Sequence, residues 1–586
     1  MNASANDMPG QPTAALGGRH VALLAGALLL GMLTAPFLLP FARPPFTSFH
    51  QEWLAIALGL AAFSLFLLAR PMLAGAVPHI ALMPVALAAL IALQAAFGSV
   101  AYWQQGALAS LILVWAALMV VLGHNLRRQW GWRCFVMLCA AGLAAGALLN
   151  AAIALLQLAG WFPAGWVARI EGTRLYGNLA QANHLANYLF LGLISLGYLA
   201  AVRQLPAWIA VSCALPLLLT LTLTGSRSIW LYFAAAIVLA VWNAWRAKDA
   251  QLRGLAVATV LALATCVALS LPWTSAGMDA PAVSETALAR MQLGDGGLEI
   301  RLHMWLAALE MFRASPLTGV GFGQYAWQHF LLAETFPTAA AAGLTDNAHN
   351  IVLHLLAEFG IAGLLILLAG VGVWLFRQDT RSPTAERWWL LAVLSVLAIH
   401  SLLEYPLWYA YFLGVFALLA GAGAAGAWQM QAGGRVFLRA AVVLAAWFVV
   451  VQVAWDYRRI ESLAGRPAID VRQDIEALHR GSLLSHVVEL GMVTAMPLDA
   501  ERAGDKLVLS GRVLRWIPAG DLAFRHSILL ALSGDAASAK AFWDRSALAY
   551  PGETSAALNL LRKVPPPRSA AGDELLEYAA SRGGES

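Results

Sequence analysis

The stretch "TDNAHNIVLHLLAEFG" gathers Asp346, Asn347, His349 and Asn350 at the mouth of an apolar run. A histidine titrates near neutrality, so His349 could take a proton from an attacking hydroxyl. Arg227 in "TLTGSRSIW" and Arg301 in "EIRLHMWLAALEMFR" offer planar guanidinium forks suited to phosphate oxygens. "RLYGNLAQANHLANY" adds Arg174, Asn178, Gln181 and Asn183, with Asn183 and Asn187 placed to share one helical face. "HSLLEYPLWYAYF" adds Glu404 and Tyr405 just before the helix-breaking Pro406. Each cluster has a structural alternative. The amides could cap a helix or bridge neighbours, Arg227 could snorkel, and a lone histidine is most often structural. Glu404 and Tyr405 read equally as an interfacial aromatic belt or as part of a site. Ionisable groups at membrane depth are costly, which favours function for the rest. Asp346 or Asn347 is the expected cap of the helix that follows, with His349 in its first turn. His354 would then lie about 140° around the helix from His349, so the two share no metal site.

These residues need a scaffold, and the composition says which kind. The chain has 586 residues, 60% of them hydrophobic and only 12% charged. That is about half the charged fraction of soluble domains. Apolar runs long enough to cross a ~30 Å hydrocarbon core begin near His20, Trp53, Pro78, Ala107, Cys134, His184, Pro206, Ile229, Leu255, Ile351, Trp388, Pro406 and Val436. The fold expected is all-α: a polytopic membrane bundle of about thirteen transmembrane helices. The first run is too long for a signal-peptide core and reads as an uncleaved helix. Arg127, Arg128, Arg133, Arg246, Lys248, Arg253, Arg377, Arg381, Arg387, Arg435 and Arg439 all fall on one side if the N-terminus is cytoplasmic. The candidate site residues then face the exterior.

The resulting division is a cytoplasmic tail over 1–19, helices over 20–272, an exterior loop over 273–350, helices over 351–455 and an exterior C-terminal helical domain over 456–586. The loop has helical apolar spacing, so amphipathic surface helices are expected there. "FRHSILLALSGDAASAKAFWDRSALAYPGE" outlines a helical hairpin of the tetratricopeptide kind, followed by a frayed tail from about Pro565. "GVGFG" follows no strand and lacks the Lys-Ser/Thr of a P-loop, so nucleotide binding is rejected. The net charge of +5 gives no case for nucleic acid, and Cys134, Cys139, Cys213 and Cys266 show no metal-ligand pairing.

Arginines, amides and a plausible base at an exterior membrane surface lack ATP, so the energy must arrive in the substrate. A lipid-linked sugar diphosphate meets that need, because cations stabilise its leaving group. Glycosyl transfer follows, with Arg227 and Arg301 on the diphosphate, His349 as base or acceptor-positioning group, and inversion at the anomeric carbon. The ordered set "GNLAQANHLANY", "TGSRSIWL", "PLTGVGFG", "DNAHNIVLHLLAEFGIAGL" and "HSLLEYPLWY" resembles the O-antigen ligase superfamily of ligases, Wzy-type polymerases and bacterial O-oligosaccharyltransferases. The resemblance implies an undecaprenyl-diphosphate-linked glycan donor and no metal or cofactor. By motif, the family's phosphate-binding arginines fall on Arg227 and Arg301 and its essential histidine on His349. The first and last motifs, with the C-terminal domain, look most like the pilin-type protein O-oligosaccharyltransferases, which implies Ser/Thr hydroxyls of periplasmic proteins as acceptors and the bacterial inner membrane as location. Lipid A-core as acceptor, a Wzy-type polymerase, and a lipid-linked glycan transporter are the alternatives. This sequence shows no internal repeat of the kind that transporter folds often carry.

Overall fold

In the computed structural model, residues 14–40, 45–68, 75–163, 165–169, 174–271, 297–337, 343, 345–378, 383–429, 436–463, 472–565 and 569–582 are described. The expected tail residues 1–13 and loop residues 273–296 lie outside them. Among the described residues, nine α-helices precede the long loop: α1 (Ala14–Leu38), α2 (Phe49–Leu68), α3 (Leu82–Ala96), α4 (Trp103–Trp130), α5 (Trp132–Leu158), α6 (Ala182–Ala201), α7 (Ala207–Leu223), α8 (Ile229–Ala247) and α9 (Ala250–Leu269). The loop carries α10 (Gly297–Ala314) and α11 (Tyr325–Leu331). Four more apolar helices follow, α12 (Ile351–Phe376), α13 (Ala385–Ser401), α14 (Ala410–Gly423) and α15 (Val436–Leu463).

Every run expected to span is therefore helical. Among the described residues, 10 helices are long and apolar enough to cross a membrane. The span at α3 reaches that length together with the 3-10 turn His79–Ala81 before it, and the three that fall short are α7, α14 and the 17-residue α13. The chain is an all-α, multi-pass membrane protein. In lipid there is no hydrophobic force between helices, so close packing and interhelical hydrogen bonds hold the bundle. Tyr188 of α6 stacks on Phe37 of α1 at 3.9 Å and donates its hydroxyl to the Leu33 carbonyl at 2.6 Å. At the bundle end away from the candidate site, Ala76–Pro78 and Ala427–Gln429 pair as two short antiparallel strands.

The glycine-rich segment has a structural use. Helix α12 breaks at Gly360, whose φ is 61° and ψ −156°. A break inside a membrane helix frees backbone groups that lipid cannot satisfy. The "SPLTGVG" backbone takes them up. Pro316 and Leu317 carbonyls accept from the Ile361 and Ala362 amides at 2.8 and 3.2 Å, and the Val320 and Gly321 amides donate to the Ala357 and Glu358 carbonyls at 2.9 and 3.1 Å. A Cβ on Gly319 would stand 2.2 Å from the Glu358 carbonyl carbon, and one on Gly360 2.6 Å from the Pro316 oxygen. Gln94 of α3 donates to the Thr318 and Glu358 carbonyls and accepts from the Phe322 amide, clamping the joint from a third side. The long loop is thus fastened to the helix that begins beside His349.

Beyond α15 come α16 (Arg472–Gly481), α17 (Ser485–Ala495), α18 (Ala503–Leu514), α19 (Gly520–Leu532), α20 (Ala536–Ala549), α21 (Thr554–Arg562) and α22 (Ala570–Arg582). The Gly-Asp turn falls between α19 and α20, where Asp535 caps α20 by accepting from the Ser538 amide at 3.0 Å. Two expectations need correction. Helix α15 continues past 455 to Leu463, and Tyr457 in this extension stacks on Phe49 of α2 at 3.6 Å. The segment past Pro565 is not a frayed tail: α22 folds back and buries Leu575 and Ala579 in the core of these helices. Phe330 and Ala333 from the long loop share that core, with Phe330 against Phe542 at 5.5 Å.

Candidate active site

Glu404 sits in the turn after α13, and its carboxylate is the hub of the candidate site. The side chain is 4% exposed. Its Oε1 accepts from Arg301 at 2.9 Å and from Asn183 at 2.7 Å, and its Oε2 pairs with His349 Nδ1 at 2.8 Å. Arg174 extends the chain, giving one Nη to Asn183 Oδ1 at 2.8 Å and its Nε to the Thr224 carbonyl at 2.7 Å. Thr224 opens the turn that carries Arg227. Arg174, Asn183, Arg301, His349 and Glu404, spread over more than two hundred residues of sequence, meet at one end of the bundle.

Burial alone would raise the Glu404 carboxyl. The hydrogen bond from His349 and the charges of His349, Arg301 and His400 more than reverse it, and the group is held at about 2. An ionised carboxylate only accepts, so His349 Nδ1 must carry a proton in the pair. Nε2 of a neutral His349 is then the basic nitrogen. With its side chain 24% exposed, the ring is reachable from outside. This is the arrangement of a general base oriented by a buried acid.

His349 is not in the first turn of a helix, as its position in the sequence suggests, and neither Asp346 nor Asn347 is the cap. Asn350 caps α12, its Oδ1 accepting from the Val352 and Leu353 amides at 3.0 and 3.2 Å. Asn347 accepts instead from the His349 amide at 2.9 Å. That local turn holds His349 at φ 50°, in the left-handed region that non-glycine residues seldom occupy. Such strain, held by the surroundings, clusters at functional sites. Trp305 of α10 donates to the Ala348 carbonyl at 3.0 Å, locking the Arg301 helix to the same segment.

The remaining candidates are placed variously. Tyr405 stands edge-on to His349, with ring centroids 5.1 Å apart. Burial first, then the charges of Asp346 and Glu404, push its hydroxyl up to about 12, so it stays protonated. Asp346 is exposed beside this group. Arg227 lies half-buried in the α7–α8 turn. Asn178 is engaged away from the hub, accepting from the Ala168 amide and donating to the Leu38 and Trp166 carbonyls. Gln181 stands at the start of α6. Tyr232, which sequence reasoning missed, donates to or accepts from His400 Nδ1 at 2.7 Å just below the hub. Its only sequence signal was a tyrosine one turn inside a membrane helix from Arg227.

Comparison with known proteins covers the same residues. Three family models match: one described as a protein glycosylation ligase over residues 175–200, one as an O-antigen ligase over 212–368, and one as the C-terminal part of a virulence factor membrane-bound polymerase over 388–563. Asn183 lies in the first, Arg227, Arg301 and His349 in the second, and Glu404 and Tyr405 in the third. A general O-oligosaccharyltransferase of Acinetobacter baylyi is 29% identical over 413 residues, covering 69% of this chain and 70% of that protein. The exopolysaccharide production protein ExoQ of Rhizobium meliloti is 29% identical over 137 residues, 22% of this chain and 31% of that protein. Over its matched segments the chain is similar to the O-antigen ligases, and along 69% of its length to an O-oligosaccharyltransferase; it is a membrane glycosyltransferase resembling that kind.

Proposed function

We propose that this enzyme transfers an oligosaccharide from an undecaprenyl-diphosphate carrier to Ser/Thr hydroxyls of periplasmic proteins, at the outer surface of the bacterial inner membrane. The observation that carries the chemistry is the His349–Glu404 pair set among arginines. The positive-inside distribution of Arg and Lys supports the periplasmic side, and the oligosaccharyltransferase relative supports a protein acceptor. Arg227 and Arg301 bind the diphosphate, whose lipid tail lies in the membrane. His349 Nε2 accepts the proton as the acceptor oxygen bonds to the anomeric carbon. The bond from that carbon to the diphosphate breaks on the opposite face, the leaving group keeps the electron pair, and the carbon inverts. Glu404 holds the imidazole in its reactive tautomer and stabilises the imidazolium. No residue in this scheme needs a metal or a cofactor to perform its step.

A ligase using lipid A-core as acceptor shares every one of these steps and is favoured by the O-antigen ligase match over 212–368. The two are separated by giving the purified enzyme an undecaprenyl-diphosphate oligosaccharide with a pilin-type periplasmic protein in one reaction and lipid A-core in another. Glycan on a serine or threonine is the expected outcome. Glycan on lipid A-core alone overturns the acceptor and leaves the donor chemistry standing, while transfer to neither overturns both.

A further inference from the structure

Asn183 and Glu404 of the hub, and Arg227 in the turn tied to it through Thr224, stand at the ends of α6, α13 and α8, and each of those helices carries a second polar residue one turn deeper. On α6, Asn187 follows Asn183 by four positions. On α8, Tyr232 follows Arg227 by five, and its amide donates to the Ser228 carbonyl at 3.2 Å. On α13, His400 precedes Glu404 by four, and its carbonyl accepts the Glu404 amide at 2.7 Å. All three deeper side chains are 0% exposed. Tyr232 and His400 are joined by the 2.7 Å hydrogen bond between hydroxyl and Nδ1. The His184 ring lies 5.6 Å from that of His400 and 4.9 Å from that of Tyr409.

Polar groups so deep in a membrane bundle are expensive and persist where they serve a purpose. Apolar side chains of similar size would pack α6, α8 and α13 equally well. We infer that the Tyr232–His400 hydrogen bond is a positioning strut that sets the diphosphate-holding turn of Arg227 against the Glu404–His349 pair. The strut spans the two halves of the reaction. One end leads in five residues to the guanidinium that meets the leaving group. The other leads through one backbone hydrogen bond to the carboxylate that aims the base. Tyr232 and His400 touch neither substrate, so they are positioning residues and not catalytic ones. Small misplacements of reacting groups are punished steeply: about 1 Å costs on the order of a hundredfold.

This inference rests on the proposed glycosyl transfer, and its experiment separates the two. Tyr232→Phe keeps the ring and removes only the hydroxyl. His400→Leu removes the nitrogen, and His400→Asn keeps a polar atom near the position of Nδ1. Initial rates of transfer are measured over a donor series for each variant, with wild type and His349→Ala alongside. Tyr232→Phe and His400→Leu are each expected to lower kcat by about 10- to 100-fold, with donor KM within about twofold of wild type. His400→Asn is expected to restore most of kcat. The double variant is expected to be no slower than the slower single, because both changes remove one bond. A Tyr232→Phe enzyme with wild-type kcat overturns the strut, as does a double variant whose loss is the product of the singles. Should His400→Leu fail to fold, Tyr232→Phe and His400→Asn decide the matter by themselves. A fully active His349→Ala overturns the proposed chemistry instead, whatever the strut variants do.

Discussion

Replacing Glu404 by glutamine changes one oxygen to an amide nitrogen, and the geometry dictates which one. Two donors, Arg301 and Asn183, converge on Oε1. The glutamine carbonyl must face them, since an NH2 there would oppose two N–H groups. Its NH2 therefore faces His349 Nδ1, and the imidazole can pair with it only by giving up the Nδ1 proton. His349 then carries its proton on Nε2, the nitrogen required to be basic. A base locked in the wrong tautomer costs about 10⁴-fold in kcat in a comparable histidine–carboxylate pair. Here the half-open position of His349 leaves a route for ring rotation, so a loss of about 10³- to 10⁴-fold is expected, or ~4–5.5 kcal/mol of transition-state stabilisation. The assay is single-turnover transfer from saturating undecaprenyl-diphosphate oligosaccharide, with donor binding measured separately to show that the diphosphate site survives. A Glu404→Gln enzyme within about tenfold of wild-type kcat would refute the tautomer argument.

Other expectations follow from the same contacts. Glu404 ionises at about 2 in the fold, below the ordinary carboxylate value of 4.5, so its stabilisation is complete above that ordinary value and is lost as pH falls towards 2. The melting temperature of the wild type in detergent should therefore fall over that window more than that of Glu404→Gln; parallel curves would show that the pair contributes no linked stability. Arg227→Ala should lower kcat/KM for donor by about 10- to 100-fold, the worth of a charge-assisted hydrogen bond, and Arg227→Lys should recover only part because the fork is lost. Full recovery by lysine would mean that only the charge matters. Gly360→Ala forces a side chain at φ 61° into the Pro316–Leu317 backbone and should cost about 2–5 kcal/mol, read as a lower melting temperature and weakened transfer. An unchanged melting temperature would sink the role given to that joint.

Much of this was legible in the sequence because membrane helices must be long and apolar, and because basic residues mark one side of the bundle. Those two constraints placed Arg174, Asn183, Arg227, Arg301, His349 and Glu404 at the same end before any contact was known. What they could not reveal was which groups meet. Glu404 reads as part of an aromatic turn, and nothing local says that Arg301, Asn183 and His349 all converge on it. The cap of α12 was misplaced because Asp346, Asn347 and Asn350 are all competent caps within five positions, and only tertiary packing selects Asn350. "LLAEFGIAGLL" reads as uninterrupted apolar helix. The break at Gly360 exists because a distant glycine-rich backbone supplies the missing hydrogen bonds. The helix after Pro565 was hidden for a similar reason, since its few apolar residues suffice only when a core is waiting for Leu575 and Ala579.

The most direct measurement is single-turnover transfer by His349→Ala beside the wild type, with undecaprenyl-diphosphate oligosaccharide as donor and a periplasmic protein as acceptor. The expected result is glycan on wild-type reactions only, with both enzymes folded and both binding donor. Glycosylated acceptor at the wild-type rate from His349→Ala would contradict the assignment of His349 as the group that takes the acceptor's proton.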